Sequence, residues 1–105
     1  MEFEIEPVDL KKALDAGEAL VVVDVREPWE FQMGHLPEAT NLPLSQFGSR
    51  IDDLNATHEH VLYCHHGVRS LRATMALAQR GLKARSLRGG IDRWSEEIDP
   101  SVPRY

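Results

Sequence analysis

The alternation of strongly apolar runs with segments of helical spacing most constrains how this chain can fold. Residues 19–25 are apolar except for Asp24, and residues 60–63 form a second buried run. Strands buried on both faces of a parallel sheet have such near-continuous apolar sequences. Stretches with apolar residues at helical spacing separate the runs, which predicts an α/β domain with a mainly parallel sheet.

The other elements follow from the same spacing. The clearest helix is expected at residues 70–80, and Ser45 is expected to cap another helix that contains Phe47, Ile51 and Leu54. Further strands are predicted at residues 3–5, 40–42 and 84–87, and further helices after Pro7, Pro28 and Gly90. The chain should therefore contain about five strands and five helices or turns.

Length and composition are those of one small globular domain, which we expect to span residues 1–105. Hydrophobic residues make up 42% of the chain and charged residues 28%, close to ordinary globular usage. The net charge of −5 argues against a nucleic-acid partner, because proteins that track a phosphate backbone are normally basic. The longest apolar runs, about five residues, are too short for a membrane span, and the acidic N-terminus lacks a secretory signal. We therefore predict a cytoplasmic protein with no nucleic-acid or membrane partner.

Charge is unevenly distributed along the chain. Residues 1–63 carry 13 acidic and 4 basic side chains, a net of −9, whereas residues 64–105 carry 4 acidic and 8 basic ones, a net of +4. One interpretation is that Arg69, Arg72 and Arg88 create a positive potential near a bound anion. The other is that these arginines lie on solvated helix faces.

The single cysteine, Cys64, lies where a buried strand ends and is either a packing residue or a reactive thiol. A lone cysteine cannot form an internal disulfide, and a four-cysteine zinc site is impossible. Arg69 follows at the start of the clearest helix, and Gly67 permits a tight loop before it. Because ligands bind at the carboxyl ends of strands in open α/β sheets, the position favours a reactive thiol.

The loop that follows Cys64 is predicted to bind an anion. A short loop that enters a helix can turn successive backbone N–H groups inward, and helix N-termini and adjacent cations favour the thiolate form of a cysteine. We therefore expect Cys64 to be the nucleophile and six loop residues to hold an anionic sulfur attached to it. These six are His65, His66, Gly67, Val68, Arg69 and Ser70.

The histidines raise the alternative of a metal site. His65 and His66, with His58 and His60 nearby in the sequence, have side chains that ligate transition metals. Neighbouring histidines in a tight loop rarely converge on one ion, so we predict no metal. Assistance of proton transfer by His65 or His66 is a second possible role, and loop packing or solvent exposure is a third.

Three segments together resemble the rhodanese-like sulfurtransferases. They are C-H-H-G-V-R-S at residues 64–70, V-V-V-D-V-R-E-P-W-E-F-Q-M-G-H-L-P-E-A-T-N-L-P-L at residues 21–44 and L-R-G-G-I-D-R-W at residues 87–94. The resemblance implies a single rhodanese-like domain whose central parallel sheet is flanked by helices on both faces. It also implies that Cys64 takes a sulfane sulfur from thiosulfate or a persulfide. Cys64 would then pass it, without a metal or organic cofactor, to a thiol, cyanide or a carrier protein.

The length of the loop favours sulfur transfer over a related chemistry. Cys64 and Arg69 are spaced as C-x4-R, whereas dual-specificity phosphatases and arsenate reductases carry C-x5-R. The longer loop surrounds a tetrahedral oxyanion bonded to sulfur, and the shorter one suits a single sulfur atom.

Five further positions bear on the donor and on support of the loop. Thiosulfate-specialised rhodaneses often have basic residues directly after the cysteine, where this chain has the mostly neutral His65 and His66, which weakens the case for thiosulfate as the natural donor. Asp24 and Arg26 are expected either to order the active-site loop or to act as an internal brace. Arg88 is expected to line the entrance.

The last residues, W-S-E-E-I-D-P-S-V-P-R-Y, resemble the end of the rhodanese domains of molybdopterin-synthase sulfurylases. Those domains pass sulfur to a small ubiquitin-like carrier, so the resemblance implies such a carrier, or a cysteine desulfurase, as a partner. Two other functions stay open: a sulfur-relay or binding module that works only within a partner complex, and a redox sensor that needs an external resolving thiol.

Overall fold

The strands of the computed structural model, which describes residues 3–54 and 56–103, form one parallel sheet. Their bounds are Glu4–Ile5 (β1), Leu20–Asp24 (β2), Thr40–Asn41 (β3), Glu59–Tyr63 (β4) and Ala84–Leu87 (β5). The order across the sheet is β1-β5-β4-β2-β3. The most apolar strands, β2 and β4, are therefore neighbours in the interior, and β4 is the central strand.

Helices cover both faces of this sheet. The α-helices are Pro7–Asp15 (α1), Pro28–Met33 (α2), Phe47–Arg50 (α3), Val68–Gln79 (α4) and Gly90–Glu97 (α5), and 3₁₀ turns lie at Leu44–Gln46 and Ile51–Asp53. Leu10 of α1 and Trp94 of α5 pack on one face, whereas Phe47 of α3 and Leu77 of α4 pack on the other. Burial of both faces explains why the inner strands are apolar at successive positions. The predicted fold class is thus confirmed.

The prediction that Ser45 caps a helix was wrong. Ser45 lies inside the 3₁₀ turn that follows Pro43, and its hydroxyl donates to the carboxylate of Glu27 at 3.4 Å instead of capping a helix N-terminus. The periodicity was correct in part, since Phe47 and Ile51 are both buried. The segment is broken into a short α-helix between two 3₁₀ turns.

Helix α4 begins at Val68, two residues before the predicted start. Gly67 is its N-cap, with a left-handed φ of 108°, so the loop after Cys64 turns into the helix within three residues. The central position of β4 then places this loop in the middle of the C-terminal edge of the sheet. None of the helices within residues 3–54 and 56–103 is long and apolar enough to cross a membrane.

The C-terminal segment folds back on α5. The Ser95 hydroxyl donates to the carbonyl of Val102 at 2.6 Å, and both residues are buried. Arg104 and Tyr105, the last residues of the motif that resembles the sulfurylases, lie outside the described residues.

Candidate active site

Cys64 follows β4 directly and is met by backbone amides. Its side chain is only 1% exposed and belongs to the apolar cluster that includes Ala73 and Leu77 of α4. Two N–H groups nevertheless donate to its Sγ, from Gly67 at 3.1 Å and from Ser70 at 3.4 Å. Amides aimed at one atom stabilise negative charge there. The Cys64 thiol therefore packs in the apolar core and also has the backbone donors that a nucleophilic thiolate needs.

Gly67 provides the turn that closes the loop around the sulfur. Its φ of +108° is one that L side chains rarely adopt, and an added Cβ would lie 3.4 Å from the backbone nitrogen of Gly89. This conformation turns the Gly67 N–H towards Cys64 while starting α4. Val68 and Arg69 occupy the first turn of that helix, where the helix itself offers their N–H groups no carbonyl.

Two buried hydroxyls extend the contacts of the sulfur. Ser70 Oγ lies 3.4 Å from Cys64 Sγ, 2.7 Å from Ser86 Oγ on β5 and 3.3 Å from the carbonyl oxygen of Gly67. A hydroxyl can accept from a thiol or donate to a thiolate, so Ser70 can serve either state of Cys64. Sequence analysis included Ser70 in the loop but missed Ser86, because nothing within β5 marks a serine whose hydroxyl meets that of Ser70 on α4.

Arg69, one of the arginines considered as a source of positive potential, is bound to a carboxylate. Its guanidinium donates to both oxygens of Glu30, at 3.1 and 3.2 Å, and its side chain is 39% exposed. These hydrogen bonds raise the pKa of Arg69 further, and the negative charges of Glu30 and Cys64 act in the same direction. The Arg69–Glu30 pair neutralises most of the positive charge and ties α4 to α2.

Glu30 is a residue that sequence analysis missed. It occupies the third position of α2, where its carboxylate also accepts the N–H of Glu27 at 3.0 Å. Burial disfavours the charged form, but the hydrogen bonds from Arg69 and from the Glu27 N–H outweigh it and lower the pKa of Glu30. A glutamate three residues after Glu27, which precedes a helical Pro28, was the available signal, because it completes a capping box.

Asp24 and Arg26 form the internal brace that was one of their two expected roles. Both side chains are fully buried, and the carboxylate accepts from Nε and Nη2 of Arg26, the latter at 2.7 Å. Arg26 also donates to the carbonyl of Gly34 at 2.6 Å, and its guanidinium lies 5.5 Å from the ring centre of Tyr63. The pair thereby connects β2, the end of α2 and the residue immediately before Cys64.

Tyr63 is held neutral inside this brace. Burial raises its pKa well above the usual range, and the Asp24 carboxylate adds to the effect. Its hydroxyl accepts the N–H of Leu36 at 3.1 Å. The phenol is therefore a structural group that fixes the end of β4.

The N-terminus of α5 packs directly against the start of the loop. The N–H of Ile91 donates to the carbonyl of Cys64 at 2.9 Å, and the N–H of Asp92 donates to that of His65 at 3.1 Å. Such contact requires Gly90, because a Cβ there would lie 2.4 Å from both carbonyl oxygens. The double glycine in L-R-G-G-I-D-R-W thus has a steric explanation.

His65, His66 and Asp92 form a cluster on the outer side of the loop. The two imidazoles stack with their centres 3.9 Å apart, and Nε2 of His66 lies 3.9 Å from a carboxylate oxygen of Asp92. Burial lowers the pKa of His65, and His66 adds to this effect whereas Asp92 opposes it. One potential ligand atom from each of the three residues lies within 4.8 Å of the others, although the two imidazoles are stacked, and the expectation that they hold no metal stays a prediction.

Arg88 and Arg72 line a groove beside the loop, together with His66 and Gly67. The Arg88 guanidinium is engaged by Glu4 at 2.8 Å and by Glu6, so its charge is largely compensated by the acidic N-terminal strand. The expectation that Arg88 lines the entrance to the site stays a prediction. Its contacts assign it to anchoring β1 and not to holding an anion.

Comparison with known proteins agrees with this geometry. The family model described as rhodanese-like domain matches residues 6–97. A putative sulfurtransferase, YtwF of Bacillus subtilis, is 31% identical over 97 residues, which cover 92% of this chain and 94% of YtwF. The probable adenylyltransferase/sulfurtransferase MoeZ of Mycobacterium tuberculosis is 36% identical over 96% of this chain, which spans only 26% of MoeZ.

Solved structures show the same fold. The crystal structure of a rhodanese-related protein from Thermoplasma volcanium superimposes with a TM-score of 0.86 at 33% identity, covering 97% of this chain and 98% of that one. The family match, the similar relatives and the shared architecture lead to one conclusion: this chain belongs to the rhodanese-like domain family of sulfurtransferases.

Proposed function

We propose that this protein is a sulfurtransferase in which Cys64 carries a sulfane sulfur as a persulfide. The observation that supports this most is the pair of N–H groups, from Gly67 and Ser70, that point at Sγ. An outer sulfur attached to Cys64 would be anionic at neutral pH. The first-turn amides of Val68 and Arg69 provide further donors for it.

The reaction takes place in two displacement steps. The Cys64 thiolate attacks the outer sulfur of the donor, whose S–S bond breaks, and the departing group keeps the electron pair, as sulfite from thiosulfate or as a thiolate from a persulfide. An acceptor thiolate or cyanide then attacks the outer sulfur of Cys64–S–S⁻ and restores the Cys64 thiolate. Charge and electrons balance in both steps, so no redox cofactor is required, and ping-pong kinetics are expected.

A persulfide suits the site better than thiosulfate as the natural donor. Thiosulfate carries two negative charges, whereas two of the arginines beside the loop are compensated, Arg69 by Glu30 and Arg88 by Glu4. His65, next to Cys64, has a lowered pKa and so is neutral at physiological pH. We therefore propose a persulfide, such as one on a cysteine desulfurase, as the donor, with thiosulfate as a usable substitute.

For the acceptor we propose a thiol or the end of a small ubiquitin-like carrier protein. The similarity to MoeZ, whose name joins adenylyltransferase and sulfurtransferase activities, supports a carrier that is activated before it receives sulfur. A catalytic cysteine that must stay a free thiol between turnovers suits a reducing compartment, which supports a cytoplasmic location.

The alternative function is a relay module with negligible turnover of small molecules. The burial of Cys64, at 1% exposure, favours this alternative, because a partner could open the loop on docking. An assay of thiocyanate formation from thiosulfate and cyanide distinguishes the enzyme from the relay module. The enzyme hypothesis predicts turnover by the isolated chain and its loss in Cys64→Ala, with Lys12→Ala as a control on the exposed face of α1 that retains activity. Thiocyanate formation that survives in Cys64→Ala would refute both functions.

A further inference from the structure

We propose that His65, His66 and Asp92 form a binding site for a first-row transition-metal ion, for which Zn²⁺ is the appropriate probe. Two imidazole nitrogens and one carboxylate oxygen are a donor set that binds Zn²⁺ in proteins with a fourth position left open. This site is distinct from the interior of the loop around Cys64. Its ligand atoms belong to side chains, whereas Cys64 Sγ accepts hydrogen bonds from backbone amides.

The distances suit closure on an ion by small side-chain movements. One ligand atom from each residue lies within 4.8 Å of the others, and a tetrahedral ion with bonds of about 2.0–2.1 Å brings its ligand atoms to roughly 3.3 Å from one another. The stacked imidazoles must splay for their lone pairs to converge. The His66 side chain is 65% exposed, which leaves room for that rotation.

The backbone around the cluster is already fixed. The Asp92 N–H donates to the carbonyl of His65, and the Ile91 N–H donates to that of Cys64, so α5 and the loop are joined next to the three ligands. Gly90 allows this approach. A framework fixed before binding lowers the ordering cost, because only side-chain rotations remain to be restricted.

The charges that face the cluster also permit a cation. Arg69 of α4 acts on His65 as a positive charge, and Glu30 of α2 binds its guanidinium through two hydrogen bonds. Asp92 supplies a negative charge from the first turn of α5.

A bound ion would slow sulfur transfer, an effect that rests on the proposed function. Two of the ligands are the residues directly after Cys64, so occupancy would immobilise the loop that must admit the donor. The open position of the metal would also capture an incoming thiolate before it reached the persulfide.

Isothermal titration of the untagged chain with Zn²⁺ tests the site directly, with visible absorption of bound Co²⁺ as a second readout of coordination. We expect one ion per chain. Asp92→Asn and His66→Ala should each weaken binding about tenfold or more, whereas His58→Ala, which changes a histidine outside the cluster, should leave it unchanged. Circular dichroism of each variant establishes that it is folded.

Cys64→Ala separates this proposal from the proposed function. It should abolish sulfur transfer and keep the Zn²⁺ affinity of the wild type, and Zn²⁺ should inhibit the wild type at concentrations that leave Asp92→Asn active. The metal site is refuted if wild-type chain takes up no stoichiometric ion, or if folded Asp92→Asn and His66→Ala bind as tightly as His58→Ala. Loss of binding in Cys64→Ala would instead make the thiol the ligand and contradict the assignment.

Discussion

At the scale of single residues, the site depends on groups that point at one sulfur atom. The N–H groups of Gly67 and Ser70 reach Cys64 Sγ, and the Ser70 hydroxyl joins the sulfur to Ser86. Backbone donors hold their positions when the charge on sulfur changes, so they stabilise the anion without reorganising. The hydrogen bond between the Ser70 and Ser86 hydroxyls can be tested separately from the backbone donors, because both serines are buried.

Replacing Ser70 with alanine should destabilise the protein by about 1–3 kcal/mol, because Ser86 Oγ then loses its buried partner. The double variant Ser70→Ala/Ser86→Ala should recover part of this loss, since removing both partners leaves no unsatisfied hydroxyl. Urea unfolding of the single and double variants measures the difference. A double variant whose losses are simply additive would show that the hydroxyls are not coupled.

The residues of the site could be predicted where they are close together in the sequence. They could not be predicted where folding brings distant segments together. Cys64, Gly67 and Ser70 lie within seven residues, so their spacing alone indicated a loop around sulfur. Ser86 and Asp92 join the site only because β5 and α5 pack beside β4. No periodicity within a strand or helix carries that information.

At the scale of elements, the loop is set by three attachments: α4 begins at its end, α2 is joined to it through an ion pair, and α5 packs on its first two carbonyls. Hydrophobic spacing predicted the strands and most helices, since burial on both faces dictates those patterns. It failed at Ser45, which lies inside the 3₁₀ turn that follows Pro43 and whose hydroxyl donates to the distant carboxylate of Glu27.

Gly90→Ala should be much more damaging than glycine replacement elsewhere. Its Cβ would lie 2.4 Å from the carbonyl oxygens of Cys64 and His65, in addition to the strain of a positive φ. We expect a loss of more than about 2 kcal/mol in stability together with impaired sulfur transfer. Gly81→Ala is the matched control, because φ is +82° but no atom lies within 4 Å, so only about 1–2 kcal/mol is expected. Equal losses in the two variants would contradict the packing of α5 on the loop.

The Glu30–Arg69 ion pair between α2 and α4 should make stability depend on pH in a defined direction. Since the pKa of Glu30 in the folded chain is below its ordinary value of 4.5, the pair stabilises the fold above that value and loses its effect as pH falls through the lowered pKa. Glu30→Gln should cost about 1 kcal/mol at pH 7. Denaturant unfolding should show that the difference in unfolding free energy between wild type and Glu30→Gln shrinks as the pH falls below 4.5. A difference that grows below this pH would contradict the lowered pKa of Glu30.

At the scale of the whole molecule, the charge asymmetry of the sequence is largely cancelled in three dimensions. Arginines of the basic second half pair with carboxylates of the acidic first half: Arg69 with Glu30, Arg80 with Asp52, Arg85 with Glu59, and Arg88 and Arg93 with Glu6. Net charge along a sequence does not reveal such pairing, because the partners are brought together by the parallel topology. Two of the three arginines expected to create a positive potential near the loop, Arg69 and Arg88, are therefore compensated.

This cancellation predicts that thiosulfate is not steered electrostatically towards the site. The value of kcat/KM for thiosulfate should change by less than about threefold between roughly 50 and 500 mM salt, because Arg69 and Arg88, two of the arginines beside the loop, are paired with carboxylates. Steady-state kinetics across this range measures the effect. A fall of about tenfold or more would reveal a positive field that the paired arginines do not account for.

The central claim, that amides around Cys64 hold an additional anionic sulfur, is tested most directly by intact-protein mass spectrometry after exposure to thiosulfate or a persulfide. We predict a gain of about 32 Da, one sulfur atom, mapped to the peptide that contains Cys64 and removed by cyanide. The folded Cys64→Ala variant should gain nothing. A wild-type chain that takes up no sulfur from either donor, or a gain that persists in Cys64→Ala, would contradict the account.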